Sequence, residues 1–139
     1  MKLKIQNGQE YIFDLVRKKF VLNQPEEWVR QNFIKFLNKK KGYPLSLMSV
    51  EKKTNINLRQ KRCDIICFGK NNQALLLVEC KAQNIKLNQE TINQSIIYQK
   101  KINAQFIIIT NGNQTYCFKE ENAKIEFVQK IPHYSRLID

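Results

Sequence analysis

The sequence predicts an α/β protein with a central mixed sheet flanked by helices, and three observations point there. An apolar hairpin fills Arg62 to Lys81, two stretches carry helix signals, and Phe106-Ile107-Ile108-Ile109-Thr110 is a short continuous apolar run of the kind that a sheet buries on both faces. At 139 residues the chain is expected to form one domain over 1–139, large enough for its own core.

Taken in order, Lys2-Leu3-Lys4-Ile5-Gln6 and Gln9-Glu10-Tyr11-Ile12-Phe13 flank Asn7-Gly8, the dipeptide that tight primed turns prefer, and predict an N-terminal β-hairpin. A short connection through Phe20, Val21 and Leu22 leads to Pro25, suited to the first turn of a helix. That helix is expected to run to about Lys41 and to stop at Gly42 before Pro44, with Val29, Phe33, Phe36 and Leu37 as its apolar stripe. By helical angle Glu26 falls within the stripe and Glu27 projects well away from it. Glu26 then serves either the helix N-terminus, whose dipole favours an acid, or a metal.

Leu45 to Lys53 reads as a strand ending at a polar Thr54-Asn55 break. The hairpin follows, with arms Arg62 to Phe68 and Ala74 to Lys81 around the polar run Gly69 to Gln73. If the loop closes symmetrically, Phe68 faces Leu75, Ile66 faces Leu77, and Asp64 faces Glu79. A slip of one residue would send Asp64 to the other face. Beyond it, Asn88 is a suitable N-cap for a second helix, roughly Gln89 to Asn103. The apolar run 106–110 turns at Asn111-Gly112 into Thr115 to Phe118, and Ile125 to Val128 offers an edge strand.

The pair Asp64 and Glu79 carries the chemistry. Like charges facing each other between strands are destabilising, more so where both faces of the hairpin are apolar, so the pair needs a neutralising partner. Lys81 lies on the same face as Glu79 by strand alternation. One solution is a buried ion cluster that specifies register. The other is a hard divalent cation such as Mg²⁺, which selects oxygen ligands, leaving the lysine to act on a water or on phosphate charge.

Net charge is +12, and from Arg30 to Arg62 ten Lys/Arg stand against one acid, Glu51. A basic surface leading into an acidic focus suits an enzyme acting on a polyanion, with Arg30, Lys61 and Arg62 as candidate contacts. The richness in Asn, Gln, Ile and Lys is equally a compositional bias with solvated lysines. Cys63, Cys67, Cys80 and Cys117 lack Cys-x-x-Cys spacing and read as reduced packing residues. The single histidine, His133, reads as a surface residue and offers little to a His-based mechanism. No phosphate-cradling Gly-x-x-x-x-Gly-Lys-Ser/Thr run, membrane-length apolar run or signal-like start occurs, so a cytoplasmic protein without ATPase activity or membrane association is expected.

Pro25-Glu26-Glu27-Trp28-Val29-Arg30-Gln31, Gln60-Lys61-Arg62-Cys63-Asp64-Ile65, Leu77-Val78-Glu79-Cys80-Lys81-Ala82, Gln94-x-x-x-Tyr98 and Thr110-Asn111-Gly112, set in the order helix, three strands, helix, strand, resemble the PD-(D/E)XK nuclease superfamily. Within it the chain is similar to the N-terminal nuclease domain of the restriction (R) subunit of type I restriction enzymes and to small stand-alone bacterial forms of it. The resemblance implies the restriction-endonuclease-like αβββαβ core and a restriction-modification role as a Mg²⁺-dependent hydrolase, an endonuclease cutting DNA phosphodiesters, with Mn²⁺ able to substitute. It implies that Asp64 and Glu79 hold the metal with an acid of the upstream helix, Glu26 or else Glu27, beside them, that Lys81 positions or activates the attacking water, and that Gln94 and Tyr98 help set Lys81 and the DNA. Gln94 and Tyr98 are also spaced as one side of an ordinary helix. Cys63 departs from the nominal proline before the Asp. Implied partners are DNA and restriction-system subunits or a second copy of the chain. The alternatives are a catalytically silent DNA-binding or assembly module on the same fold, and a nuclease acting on RNA or branched DNA.

Overall fold

A computed structural model describes residues 1–55 and 60–138, and for residues 51–55, 60–63 and 101 the backbone alone. The N-terminal hairpin forms as expected, β1 (Leu3–Gln6) against β2 (Gln9–Asp14), with positive φ at both Asn7 and Gly8 as a primed turn requires. The segment expected as a connection is a third strand, β3 (Lys19–Leu22), completing an antiparallel sheet in the order β1-β2-β3.

The turn into β3 is held by Asp14, whose carboxylate accepts from the Val16 and Arg17 amides at 2.9 and 3.1 Å and from Arg17 Nε at 2.8 Å. Burial pushes the Asp14 pKa up, but the hydrogen bonds from Arg17 and Val16 and the charge of Arg17 outweigh it and leave the group below its ordinary value of 3.8. A carboxylate depressed in the folded state stabilises above its unfolded pKa and loses that contribution as pH falls through the folded one. The Val16 and Arg17 amides are therefore expected to keep their exchange protection down to pH 3.8 and lose it below, followed by NMR hydrogen exchange.

Helix α1 (Pro25–Lys41) starts on Pro25, carries Glu26 and Glu27 in its first turn and Lys39, Lys40 and Lys41 in its last, the charge order that the helix dipole favours. It ends where expected. Gly42 caps it at φ +78°, its N–H donating to the Leu37 carbonyl. A Cβ at that position would stand 2.6 Å from His133 Cε1, so Gly42→Ala adds a contact to left-handed strain. The expected loss is about 1–2 kcal/mol in urea unfolding. His133 itself is exposed, as the sequence reading has it.

A short 3₁₀ turn, Leu45–Leu47, replaces the first part of the strand expected there, so β4 runs Met48–Asn55. With β5 (Gln60–Phe68), β6 (Ala74–Cys80), β7 (Phe106–Thr110), β8 (Thr115–Glu121) and β9 (Lys124–Val128) it forms a mixed six-stranded sheet ordered β4-β5-β6-β7-β8-β9. Only β6 and β7 pair in parallel within it. Parallel neighbours need a crossover, supplied by α2 (Gln89–Gln99), whose expected N-cap Asn88 accepts from the Thr91 amide at 2.8 Å. The last turn expected of that helix is a 3₁₀ segment, Lys100–Ile102, ended by Asn103 at positive φ.

The order α1-β4-β5-β6-α2-β7 is the αβββαβ arrangement anticipated from the sequence. Val29, Phe33, Ile34 and Leu37 of α1 pack with Ile65, Cys67, Leu76, Val78 and Cys80 on one face of the sheet. On the other face Ile66 and Leu77 pack with Ala104, and Ile109 packs with Leu87 and Ile92. Cys67, Cys80 and Cys117 are buried thiols, and burial pushes Cys67 and Cys117 up to about 12, so these two stay protonated and unreactive at neutral pH. Cys63 lies outside the residues whose side chains are described. Among the described residues no helix is long and apolar enough to cross a membrane.

Candidate active site

The hairpin register puts the two acids together. Asp64 pairs with Glu79, Ile66 with Leu77 and Cys67 with Leu76, while an irregularity between Cys67 and Phe68 makes Ala74, rather than Leu75, the partner of Phe68. The slip falls toward the loop, beyond the acids, and so leaves their pairing as expected. Asp64 is 2% and Glu79 1% exposed, two carboxylates side by side in a setting where charge is costly.

Glu79 is held from two sides. Its Oε1 accepts from Ser95 Oγ at 2.8 Å and from Gln99 Nε2 at 3.2 Å, and Gln99 Nε2 also donates to Ser95 Oγ at 2.7 Å. Its Oε2 meets Lys81 Nζ at 2.8 Å. Lys81 is positioned through its backbone, its amide donating to the Thr110 carbonyl at 2.8 Å, and its side chain stays about a quarter exposed at 26%. The buried Glu79 carboxylate thus has a partner that is itself partly in solvent.

Thr110-Asn111-Gly112 shapes the loop beyond. Asn111 Nδ2 donates to the Ile85 carbonyl at 2.9 Å, tying down the chain after Lys81, while its Oδ1 accepts the Asn113 and Gln114 amides. Gly112 has φ +89°, a conformation that a residue with a Cβ adopts at a cost.

The second helix meets the site one residue away from the expected positions. Gln94 is exposed and Tyr98 half-buried, whereas Ser95 and Gln99 contact Glu79. Both pairs have i, i+4 spacing, so periodicity predicts a working face without saying which of two adjacent pairs forms it.

The first helix departs further. Its buried face includes Glu27, Arg30 and Gln31 as well as apolar residues, and Phe36 is 36% exposed. A stripe counted from apolar residues alone was therefore rotated: Glu27 is the buried acid and Glu26 is half-buried. Glu27 accepts from Arg30 Nε at 2.8 Å, from Arg30 Nη2, and from Gln31 Nε2 at 3.0 Å. Arg30, a candidate DNA contact, is 0% exposed and part of this lock. Gln31 Oε1 in turn accepts the Leu15 amide at 3.0 Å, linking α1 to the N-terminal sheet. Helix α1 packs on the sheet face opposite Asp64 and Glu79, so the structure does not group Glu26 with them. Lys61 and Arg62 lie outside the residues whose side chains are described. Along the backbone, Glu51 of β4 pairs with Asp64, a neighbour that the sequence reading treated only as a lone acid in a basic stretch.

The donor set suits a hard divalent cation. Two adjacent carboxylates offer oxygen ligands of the kind such an ion selects, and among the described residues no third acid, histidine or cysteine joins them.

Residues 25–132 match the family described as the type I restriction enzyme R protein N terminus. No curated protein and no solved structure gives a significant match to the chain. With that match covering most of the sequence and both helices, the paired acids and the lysine all inside it, the chain belongs to the type I restriction enzyme R protein N-terminal family.

Proposed function

We propose that this chain is a Mg²⁺-dependent endonuclease that hydrolyses DNA phosphodiester bonds, with Asp64 and Glu79 holding the metal. The observation that carries the reading is the register pairing of two buried carboxylates with a partly exposed lysine on one of them. Family membership supports a nuclease within a restriction system. When bound, the cation would supply Lewis acidity at a phosphoryl oxygen. Ser95 and Gln99 fix Glu79 Oε1, which orients Oε2 toward Lys81. Lys81 Nζ presents positive charge and a proton at the solvent edge, where it would steady a phosphate oxygen or a water placed for attack. Tyr98 and Gln94 lie on the same helix as Ser95, half-buried and exposed respectively, and in this reading they would contact the DNA.

Purified protein is expected to nick supercoiled plasmid with Mg²⁺ or Mn²⁺ and not with EDTA, and Asp64→Asn is expected to remove the nicking. DNA affinity should fall steeply with salt, as cation release from phosphates requires.

One observation favours a second reading, a catalytically silent module. Glu79 already has Ser95, Gln99 and Lys81 as partners, an arrangement that also suits an ion cluster fixing strand register. A folded protein that binds DNA with no metal-dependent nicking would support it.

A further inference from the structure

The N-terminal sheet lies outside the family match, which starts at residue 25, and its two faces differ in kind. Cross-strand pairs place Leu3, Ile12 and Val21 on one face and Lys4, Tyr11 and Leu22 on the other, with Phe13 opposite Phe20 on that second face. Ile12 and Asp14 are 0% exposed, so the first face is turned toward the body of the protein. Glu10 and Asp14, the acids of β2, fall on that inner face by alternation. Among the described residues of the three strands, none on the outer face is a carboxylate. It presents Tyr11, Phe13 and Phe20, all half-buried and none part of a core cluster, with Phe13 and Phe20 edge to face at 5.3 Å. Lysine ammoniums stand over the rings: Lys2 Nζ is 5.1 Å from the Phe13 centroid, and Lys4 Nζ is 4.5 Å from Phe20 and 5.9 Å from Tyr11.

We propose that this outer face is a binding platform for an unpaired DNA strand, with bases stacking on Tyr11, Phe13 and Phe20 while Lys2 and Lys4 take the phosphates. A cation over a ring at an exposed site is weakly held. A single strand replaces that contact twice over, giving the ring a base and the ammonium a phosphate. Duplex bases are already stacked on one another and offer no such exchange, so the platform discriminates by strandedness. Sequence-tolerant stacking on aromatic side chains beside a cationic track is the chemistry of single-strand binding. The choice of DNA over RNA rests on the nuclease reading above; the stacking itself does not.

The test is fluorescence anisotropy of labelled oligo-dT with the full chain in EDTA, so that cleavage plays no part. Phe20→Leu, which keeps apolar volume but removes the ring, is expected to weaken oligo-dT binding roughly tenfold, within the range of alanine substitutions at stacking sites. Phe20→Trp is expected to restore it, which separates stacking from a structural loss, and duplex binding should hold within about twofold because phosphate contacts dominate there. Equal affinity of Phe20→Leu and the unaltered protein for oligo-dT, or an equal loss on duplex, overturns the proposal. Tighter binding of oligo-rU than oligo-dT overturns the assignment to DNA, and no ring-dependent nucleic-acid binding overturns the platform in favour of a protein partner. Ring-dependent oligo-dT binding in a protein that fails to nick plasmid would leave the platform standing and remove the nuclease reading alone.

Discussion

Glu79→Gln is expected to lower metal-dependent nicking of plasmid by at least about 100-fold while leaving the melting temperature close to that of the unaltered chain, since a lost metal ligand costs no less than the supporting residues behind one. The amide has the shape of the carboxylate, and its oxygen can take the place of Oε1 as acceptor for Ser95 and Gln99. What changes is charge. The NH₂ group would face Lys81 Nζ, two donors in apposition, and Lys81 at 26% exposure has room to turn toward water. Against that lost ion pair stands the relief of repulsion with Asp64, the adjacent residue on β5. The two effects oppose each other in stability, whereas both reduce the attraction for a cation. Nicking and thermal melting measured on the same preparation decide between the readings: loss of nicking with an intact fold places Glu79 in the reactive machinery, and a melting collapse with it makes the cluster architectural.

The register behind that prediction follows from closing Gly69 to Gln73 symmetrically, which pairs Ile66 with Leu77 and Asp64 with Glu79. The irregularity at Phe68 was not legible, because arms that are apolar on both faces carry no signal for a slip next to the loop. The helix α1 was bounded by Pro25 and Gly42, residues whose backbone chemistry acts locally. β3 was missed because its turn gives no glycine signal; Leu15 and Val16 occupy it and pack against the core, and the polar work falls to Asp14. Ser95 and Gln99 were missed for a different reason. Their role depends on the rotation of α2 over the sheet, a tertiary quantity that apolar spacing in a weakly amphipathic helix leaves open. Glu27 and Arg30 were misplaced because two opposite charges buried against each other look, residue by residue, like a solvated surface.

That buried pair yields the largest expected change in stability. Arg30→Met should destabilise the protein by about 3–5 kcal/mol, because removing one partner leaves Glu27 a buried carboxylate that has lost its counter-charge. Glu27 is 2% and Arg30 0% exposed, so water cannot make up the difference without opening the helix interface. Gln31 remains as a donor to Glu27, and through its other end it holds the Leu15 amide, so the damage is expected to spread to the packing of β1-β2-β3 against α1. Replacing both charges together, Glu27→Leu with Arg30→Met, removes the uncompensated Glu27 charge and is expected to recover the part of the loss that comes from it, giving a coupling energy in a double-mutant cycle measured by urea unfolding. The same variants separate the two roles that Arg30 has been given. If Arg30 met DNA phosphates, Arg30→Met would weaken DNA binding and flatten its salt dependence at little cost in stability. Enclosure in α1 predicts the reverse: a large loss of stability for the single variant, and for the refolded double variant a DNA affinity close to that of the unaltered chain.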